Sequence, residues 1–575
     1  MPGFYLSNAP HSGEAPIHNH DDRRCVRAQA KVDGWDVQRD TLNRFLDDKA
    51  WYEDDAMFLV AEGVILNKTE LFERYGASSV PELVRVMVAS DPHFFREFRG
   101  SFSGALFDKR TRKWVVWTNH YGDNTVFYAC AGGWVFVGSQ VDYVLEGMRR
   151  AGLAPTPNDR AVLCMLTYAF MDDCSTYATE VRRLTAGKCL EIDAGGVTEL
   201  AYWELRRNRL DLSGKSEAEL LDGWDAVFRM AVGREYGKDR EYGKRHLIEL
   251  SGGLDSRMTT WVSHEMGYRD TVNINFCQSG YTDEIVAKEI ARDLRNELLL
   301  EPMDDASFLL ELDDLVSMNF GLSLYSGVSG GKRILDNLNM DSFGLLHTGA
   351  LGDVVLGCFL QSPDQLRDAR VGGLYSSILE DEVDAVSSRS AYPDKETYLF
   401  YTRGFLGACS SHFFKRNYTD VAAPFLDVDV LEYALSIPVE VRARHRLYRR
   451  WLIERYPKAA SYVWEKEGVP INCSPAQRFA SKAVKKVGHI VRSIGSSEER
   501  LTTGMNPLDL WLSSDRRIAD FFAGAYREKI ENTALSERAR GWARKVYEEG
   551  TAIEKTQVLT ALAAMELYFG RSHEA

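Results

Sequence analysis

Cysteine pairs at metal-binding or redox spacing are missing from this chain. Its nine cysteines lie scattered, with no C-x-x-C. That argues against a zinc site or a disulfide framework and for reduced, mostly buried thiols in a cytoplasmic protein. An excess of basic residues is missing too. Lys and Arg total 70 against 84 Asp and Glu, a formal net charge of −14, so a general nucleic-acid binder is not expected. No stretch approaches the ~20 apolar residues of a membrane span, so no stable membrane insertion is expected. The opening "MPGFYLSNAPHSGEAPIHNHDD" has no basic segment followed by an apolar one and does not read as a secretory leader. Repeats and low-complexity tracts are also lacking. What is present is a 575-residue chain, 45% hydrophobic and 27% charged, with room for two or more cores.

Residues 1 to about 205 are rich in short alternating runs such as "MFLVAEGVIL", "KWVVWTNH" and "TVFYACAGGWVFVGS". They read as antiparallel strands joined by Gly or Asn turns, with helices such as "SVPELVRVMVAS" between them. After Tyr202-Trp203-Glu204-Leu205, charged helical segments alternate with apolar strand runs ("HLIEL", "TVNINF", "FGLLHTGAL"). That alternation predicts a parallel α/β sheet. From about residue 375 onward the reading is almost all helix.

The stretch "HLIELSGGLDSRMTTWV", residues 246–262, carries the chemistry. A short apolar strand ends in Ser251-Gly252-Gly253, and helical spacing of Met258, Trp261 and Val262 follows. Strand, Gly-rich turn and helix start form a phosphate cradle: glycines admit backbone N–H groups to the anion, and the helix dipole favours it. The Ser251 and Ser256 hydroxyls add donors. Asp255 would repel phosphate and makes sense as a magnesium ligand. The string lacks the Lys of a Walker loop, which points to AMP transfer with pyrophosphate release.

Ser251–Ser256 resembles the pyrophosphate loop of the asparagine synthetase family, which includes asparagine synthetases, β-lactam and carbapenam synthetases and lasso-peptide macrolactam cyclases. Further segments resemble that family in order: "FREFRGSFSGALFDKRTRKWVVWTNHYGDNTVFYA", "LTAGKCLEI…YWEL", "GYTDEIVAKEIARDL", "HTGALGDVVLG", "AAPFLDVDVLEYALSIP" and "YVWEKEGVPI". The resemblance implies an α/β protein of two parts. Residues 1–205 would form an Ntn-type α+β sandwich of the class II glutamine amidotransferase kind. Residues 206–575 would form an α/β ATP-pyrophosphatase (PP-loop, adenine nucleotide α-hydrolase-like) domain with a helical C-terminal part.

The resemblance also implies roles. Asp255 and Asp353 match the two magnesium-binding aspartates, Asp353 counting as catalytic as well. Leu250, Ser251, Gly252, Gly253, Ser256, Ile274, Thr348 and Gly349 match positions that contact ATP. Lys466 matches the late catalytic lysine, expected as a buried ammonium that stabilises developing negative charge. Arg257 could contact phosphate, bind a substrate carboxylate or form a surface salt bridge.

Departures from the family cluster in the first part. Pro2 stands where a glutaminase has its nucleophilic Cys, and Cys25 lies too far along to replace it. The glutamine-binding Asn-Gly-Glu turn appears as Glu62-Gly63-Val64, and the Arg-Asp pair as Thr118-Asn119. An inactive glutaminase is expected. In the second Gly-rich loop Ala350 replaces a Glu, which puts aspartate as the substrate in doubt. The resulting expectation is an ATP- and Mg²⁺-dependent, AMP-forming amide ligase without glutamine hydrolysis. Its partners would be a small-molecule or peptide carboxylate and an amine, alongside a homodimer mate or biosynthetic partner proteins. The alternatives are an asparagine synthase using ammonia or glutamine, a non-catalytic scaffold, and, disfavoured by the cysteine pattern and the acidic balance, a tRNA sulfur-transfer enzyme. His18, His20, Asp21 and Asp22 have metal-like spacing but read as a polar terminal segment. Residues 478–495 read as a basic amphipathic helix.

Overall fold

The computed structural model describes residues 3–10, 24–328, 331–360, 362–367, 373–384, 387–481 and 505–570. Pro2, His18, His20, Asp21, Asp22 and residues 482–495 of the basic stretch lie outside the described residues.

Up to Ala201 the chain builds two six-stranded antiparallel sheets. The first runs Val181–Arg183, Phe127–Ala131, Trp134–Gly138, Gly3–Ser7, Trp35–Leu42, Cys25–Val32; the second runs Gly196–Ala201, Lys188–Asp193, Lys113–Thr118, Phe102–Asp108, Met57–Gly63, Ala50–Glu53. Phe4, Leu6 and Val37 of the first meet Phe58, Val60, Phe107 and Trp114 of the second in the layer between them. The outer face of the second sheet, through Leu59, Leu106 and Trp117, packs on Leu71, Leu83 and Met87 of two helices. The outer face of the first, through Tyr5, Phe127 and Phe136, packs on helix Val141–Arg150 and on α1, Asp159–Tyr168. Both sheets are therefore covered on both sides. The run Met57–Gly63 is buried along its whole length instead of alternating, because neither face meets water. This is the mixed α/β, Ntn-like layering expected of the first part.

Helix α2, Glu217–Glu241, starts at a capping box formed by Ser216 and Glu219. Beyond it lies a five-stranded parallel sheet in the order β3-β2-β1-β4-β5. Its strands are β1 (Arg245–Glu249), β2 (Thr271–Cys277), β3 (Glu297–Pro302), β4 (Phe343–His347) and β5 (Val421–Ala422). β1 leads into α3, Leu254–Glu265, and β2 into α4, Thr282–Leu294. Chain order reverses at β1, where the carboxyl ends of β1 and β4 open a crevice. The region after residue 375 is not all helix. β5 and a hairpin of Val463–Trp464 with Val469–Pro470 lie within it, strands of two residues each. Runs that short leave no periodicity to read.

The division 1–205 and 206–575 stays our proposal, and the apolar core crosses it. α1 packs against the C-terminal helices Glu537–Glu549 and Ala552–Phe569, and one cluster joins them to Leu247, Val272 and Ile274 of the parallel sheet. Among the described residues no helix is long and apolar enough to cross a membrane.

A buried charge cluster supports β1 and β4 from below. Asp239 Oδ2 accepts from His246 Nδ1 and from His347 Nε2, each at 2.7 Å, and Glu235 Oε2 lies 3.3 Å from His347 Nδ1. Burial alone would lower the His347 pKa, but the Asp239 and Glu235 carboxylates outweigh it and raise it to about 9. Burial lifts Glu235 to about 7. Both pKa values lie above those of the unfolded chain, so both contributions to stability are complete at low pH and fade as pH rises. For His347 the loss runs from its ordinary 6.5 up through about 9. We expect the melting temperature to fall between pH 6.5 and 9, and to fall less steeply in His347→Asn. Equal slopes for the two proteins in a pH series of thermal melts would refute this.

Candidate functional site

The turn at residues 250–253 forms because β1 must hand over to α3 within a few residues. Leu250 N donates to Ile274 O at 2.9 Å, and Asn275 Nδ2 donates to Leu250 O at 2.7 Å, which pins the strand end to β2. Ser251 N donates to Ser256 Oγ at 3.0 Å, and Gly253 N donates to Ser251 Oγ at 3.2 Å. Gly252 N donates to Asp283 Oδ1 at 2.9 Å, at the start of α4. Helix α3 has no side-chain cap at Gly253. Its first-turn N–H groups are thereby left to an anion.

Beneath the turn, Arg257 is fully buried. It donates to Gly252 O at 2.9 Å, Val463 O at 2.7 Å, Ala459 O at 3.1 Å and Tyr462 O at 3.2 Å. The guanidinium fork thus ties the loop to segment 459–463. It is buried and bonds no carboxylate among the described residues, so the surface salt-bridge reading is corrected. Burial lowers its pKa to about 10, still well above neutrality.

The second Gly-rich loop follows β4. Asp353 N donates to Asp255 Oδ2 at 2.9 Å, and Tyr448 OH donates to Asp255 Oδ1 at 2.7 Å. This approach requires glycine. A Cβ on Gly349 would lie 2.3 Å from Ser256 N, and one on Gly352 would lie 2.6 Å from Asp255 Cγ. Desolvation and the neighbouring Asp353 charge raise the Asp255 pKa to about 7, with Tyr448 and Lys466 opposing. Asp283, also desolvated, is raised to about 6.

Two cavities meet here. The first, about 380 Å³, is lined by Leu250, Ser251, Gly253, Asp255, Ser256, Ile274, Thr348 and Gly349. These are the expected nucleotide positions except Gly252, whose N–H faces Asp283. The second, about 680 Å³, has Asp353 in its wall with Phe170, Leu324, Leu351, Phe359 and Leu399, and Lys395 and Arg403 supply cations. Ala408 and Ser411 line both.

Lys466 is not buried as expected. It is exposed at the tip of the 463–470 hairpin, its Nζ 5.9 Å from the Trp464 ring centroid. The hairpin turn explains this: neighbouring Glu465 accepts from Tyr281 OH at 2.6 Å, while Glu467 pairs with Arg449 and Arg478. Its ammonium still lowers the pKa of Asp255, so it lies within electrostatic reach. Sequence reasoning missed Tyr448, Asp283 and His412. Only Asp283 left a trace, in the Thr-Asp-Glu start of α4.

In the amidotransferase-like part, Glu62 is buried. It pairs with Arg39 and accepts from Thr41 Oγ1 at 2.6 Å. Asn119 is buried too, donating to Asp123 Oδ1 at 2.8 Å and to Gly100 O at 3.2 Å. Glu62 and Asn119 are thus both bonded within the protein.

Comparison with known proteins finds likenesses over parts of the chain. Residues 50–203 match the glutamine amidotransferase domain family. Over 280 residues the chain is 23% identical to the glutamine-hydrolyzing asparagine synthetase 1 of Bacillus subtilis (strain 168), a match covering 46% of this chain and 42% of that protein. The chain thus spans less than half the length of that relative. Two solved structures are also similar. One, titled as the allosteric regulatory enzyme of purine biosynthesis, has a TM-score of 0.23 and 11% identity, over 52% of this chain and 74% of that one. The other, the glutamine phosphoribosylpyrophosphate amidotransferase from B. subtilis complexed with ADP and GMP, has a TM-score of 0.24 and 10% identity, over 67% of this chain and 89% of that one. The likenesses are thus to a glutamine amidotransferase domain over residues 50–203 and, over part of the chain, to a glutamine-hydrolyzing asparagine synthetase.

Proposed function

We propose that the chain is an ATP-dependent, AMP-forming amide ligase that activates a substrate carboxylate for attack by an amine, without hydrolysing glutamine. The observation that carries this reading is the meeting of Asp255 and the Asp353 loop where the two cavities join, directly after the Gly-rich turn. The first-turn N–H groups of α3 and the Ser251 and Ser256 hydroxyls bind the pyrophosphate that leaves. Two carboxylates on adjacent strand-end loops, one with a raised pKa, fit a hard divalent cation. Asp255 and Asp353 would hold magnesium, which supplies charge neutralisation at the phosphates. Leu250, Ile274, Thr348 and Gly349 bound the nucleoside. Lys466, at a hairpin tip within electrostatic reach of Asp255, would stabilise the charge developing on the acyl group.

The second cavity takes the carboxylate substrate. Its size suits a body larger than that of aspartate, and Ala350 puts no acidic side chain at its own place in the loop. The buried bonds of Glu62 and Asn119 support the absence of glutamine binding. The match to a glutamine-hydrolyzing asparagine synthetase favours a second reading, in which aspartate is the substrate and ammonia or glutamine the nitrogen source.

ATP–pyrophosphate exchange with Mg²⁺, run over a panel of amino acids, peptides and larger apolar carboxylates, separates the two. We expect exchange with a bulky carboxylate and not with aspartate, and a loss of roughly 100-fold or more in Asp255→Asn. Undiminished exchange in that variant would sink the mechanism. Lys466→Ala is expected to keep ATP binding while product formation drops by roughly 10²–10³; lost nucleotide binding would refute its role. Incubation with glutamine should release no glutamate, and measured release would favour the second reading.

A further inference from the structure

One buried pair links the amidotransferase-like part to the wall of the first cavity. Asp123 lies in the turn after Asn119, within residues 50–203, and is fully buried. Its Oδ1 accepts from Ser101 Oγ at 3.0 Å and Asn119 Nδ2 at 2.8 Å. Its Oδ2 is 2.9 Å from His412 Nδ1 and 2.6 Å from an Arg416 Nη. Burial opposes its ionisation, but Arg416 and the His412 N–H outweigh it and hold the pKa at about 2. An ionised carboxylate can only accept, so the proton of His412 sits on Nδ1. Nε2 is then an acceptor lone pair. It is buried, has no hydrogen-bond partner among the described residues, and belongs to a residue 1% exposed that lines the first cavity and not the second. A buried acceptor without a donor costs free energy that a ligand's donor group would recover.

We propose that His412 Nε2 accepts a hydrogen bond from a donor of the bound nucleoside, a ribose hydroxyl or the adenine amino group, and that Asp123 is the positioning residue fixing its tautomer. The inference rests on the nucleotide reading of the first cavity. It assigns the amidotransferase-like part a task that does not involve glutamine: it supplies the carboxylate that sets which way His412 presents its lone pair. Burial lowers the His412 pKa despite Asp123, which keeps the ring neutral and Nε2 an acceptor.

The test is calorimetric binding of Mg·ATP, 2′-deoxy-ATP, 3′-deoxy-ATP and purine riboside triphosphate, which lacks the amino group, to the full chain. One of the three analogues should bind the unaltered chain about 10-fold more weakly than ATP. His412→Phe should bind ATP about as weakly as the unaltered chain binds that analogue, with no further loss on the analogue itself. His412→Gln, which retains an acceptor, should recover part of the affinity. Asp123→Asn should narrow the gap between ATP and the analogue. The analogue series on the unaltered chain needs no variant to fold. Equal binding of all four nucleotides by the unaltered chain, or unchanged ATP binding by His412→Phe, overturns this proposal alone. Failure of the unaltered chain to bind any of them overturns the nucleotide reading as well.

Discussion

Asp255 and the backbone N–H of Asp353 meet at 2.9 Å only because two glycines leave the space between their loops free. Everything that gives the site its chemistry depends on that approach. A half-buried carboxylate facing a second one is electrostatically unfavourable, as the raised pKa of Asp255 records. The surroundings offset this only in part: Tyr448 and the Asp353 N–H each donate one hydrogen bond. The loop carrying Asp255 is stiffened by the four carbonyl contacts of Arg257, and each would otherwise be a buried acceptor costing about 1–3 kcal/mol. The protein thus holds a geometry that its own charges resist, as expected where a cation and an anionic ligand complete the balance.

The same reasoning bears on why the two parts of the chain are so closely joined. α1, from the amidotransferase-like part, is buried along almost its whole length against the C-terminal helices. Asp48 sits beneath Lys238 of α2, with Lys68 and Tyr242 also on its carboxylate. Such buried ion pairs do little for stability, yet they tolerate no loose fit. Phe170, at the end of α1, forms part of the wall of the second cavity. The amidotransferase-like part therefore shapes the second cavity.

What the sequence revealed was whatever is decided locally. A strand, two glycines and a helix over residues 246–262 carry their geometry in consecutive residues, and the turn and α3 follow that reading within a residue. The loop glycines of residues 349–352 were legible for the same reason. Arg257 was not, because four carbonyls from residues 252 and 459–463 must be brought together before its task can be seen. Tyr448 and His412 come from helical segments far along the chain, each unremarkable in its own sequence context. Lys466 was placed by order along the chain, and order says nothing about exposure. The strands around residues 57–63 read as alternating, although helices on the outer layer remove the contrast between faces.

Under the proposed ligase reading, the wall between the two cavities separates the two groups to be joined. Ala408 and Ser411 face both sides, and both follow a π-helical stretch, Phe400–Gly407. Widened helical turns of that kind insert an extra residue and shift the face presented beyond them. Here the residues beyond the stretch present small side chains to both cavities. Asp255 lies on one side of that junction and Asp353 on the other. A binding protein for a nucleotide alone needs only the first compartment. A ligase needs a second, opening where the phosphates end and dry enough that the activated acyl group meets an amine before it meets water. Under the proposed reading the two compartments divide that labour, the first holding Asp255 and the second Asp353.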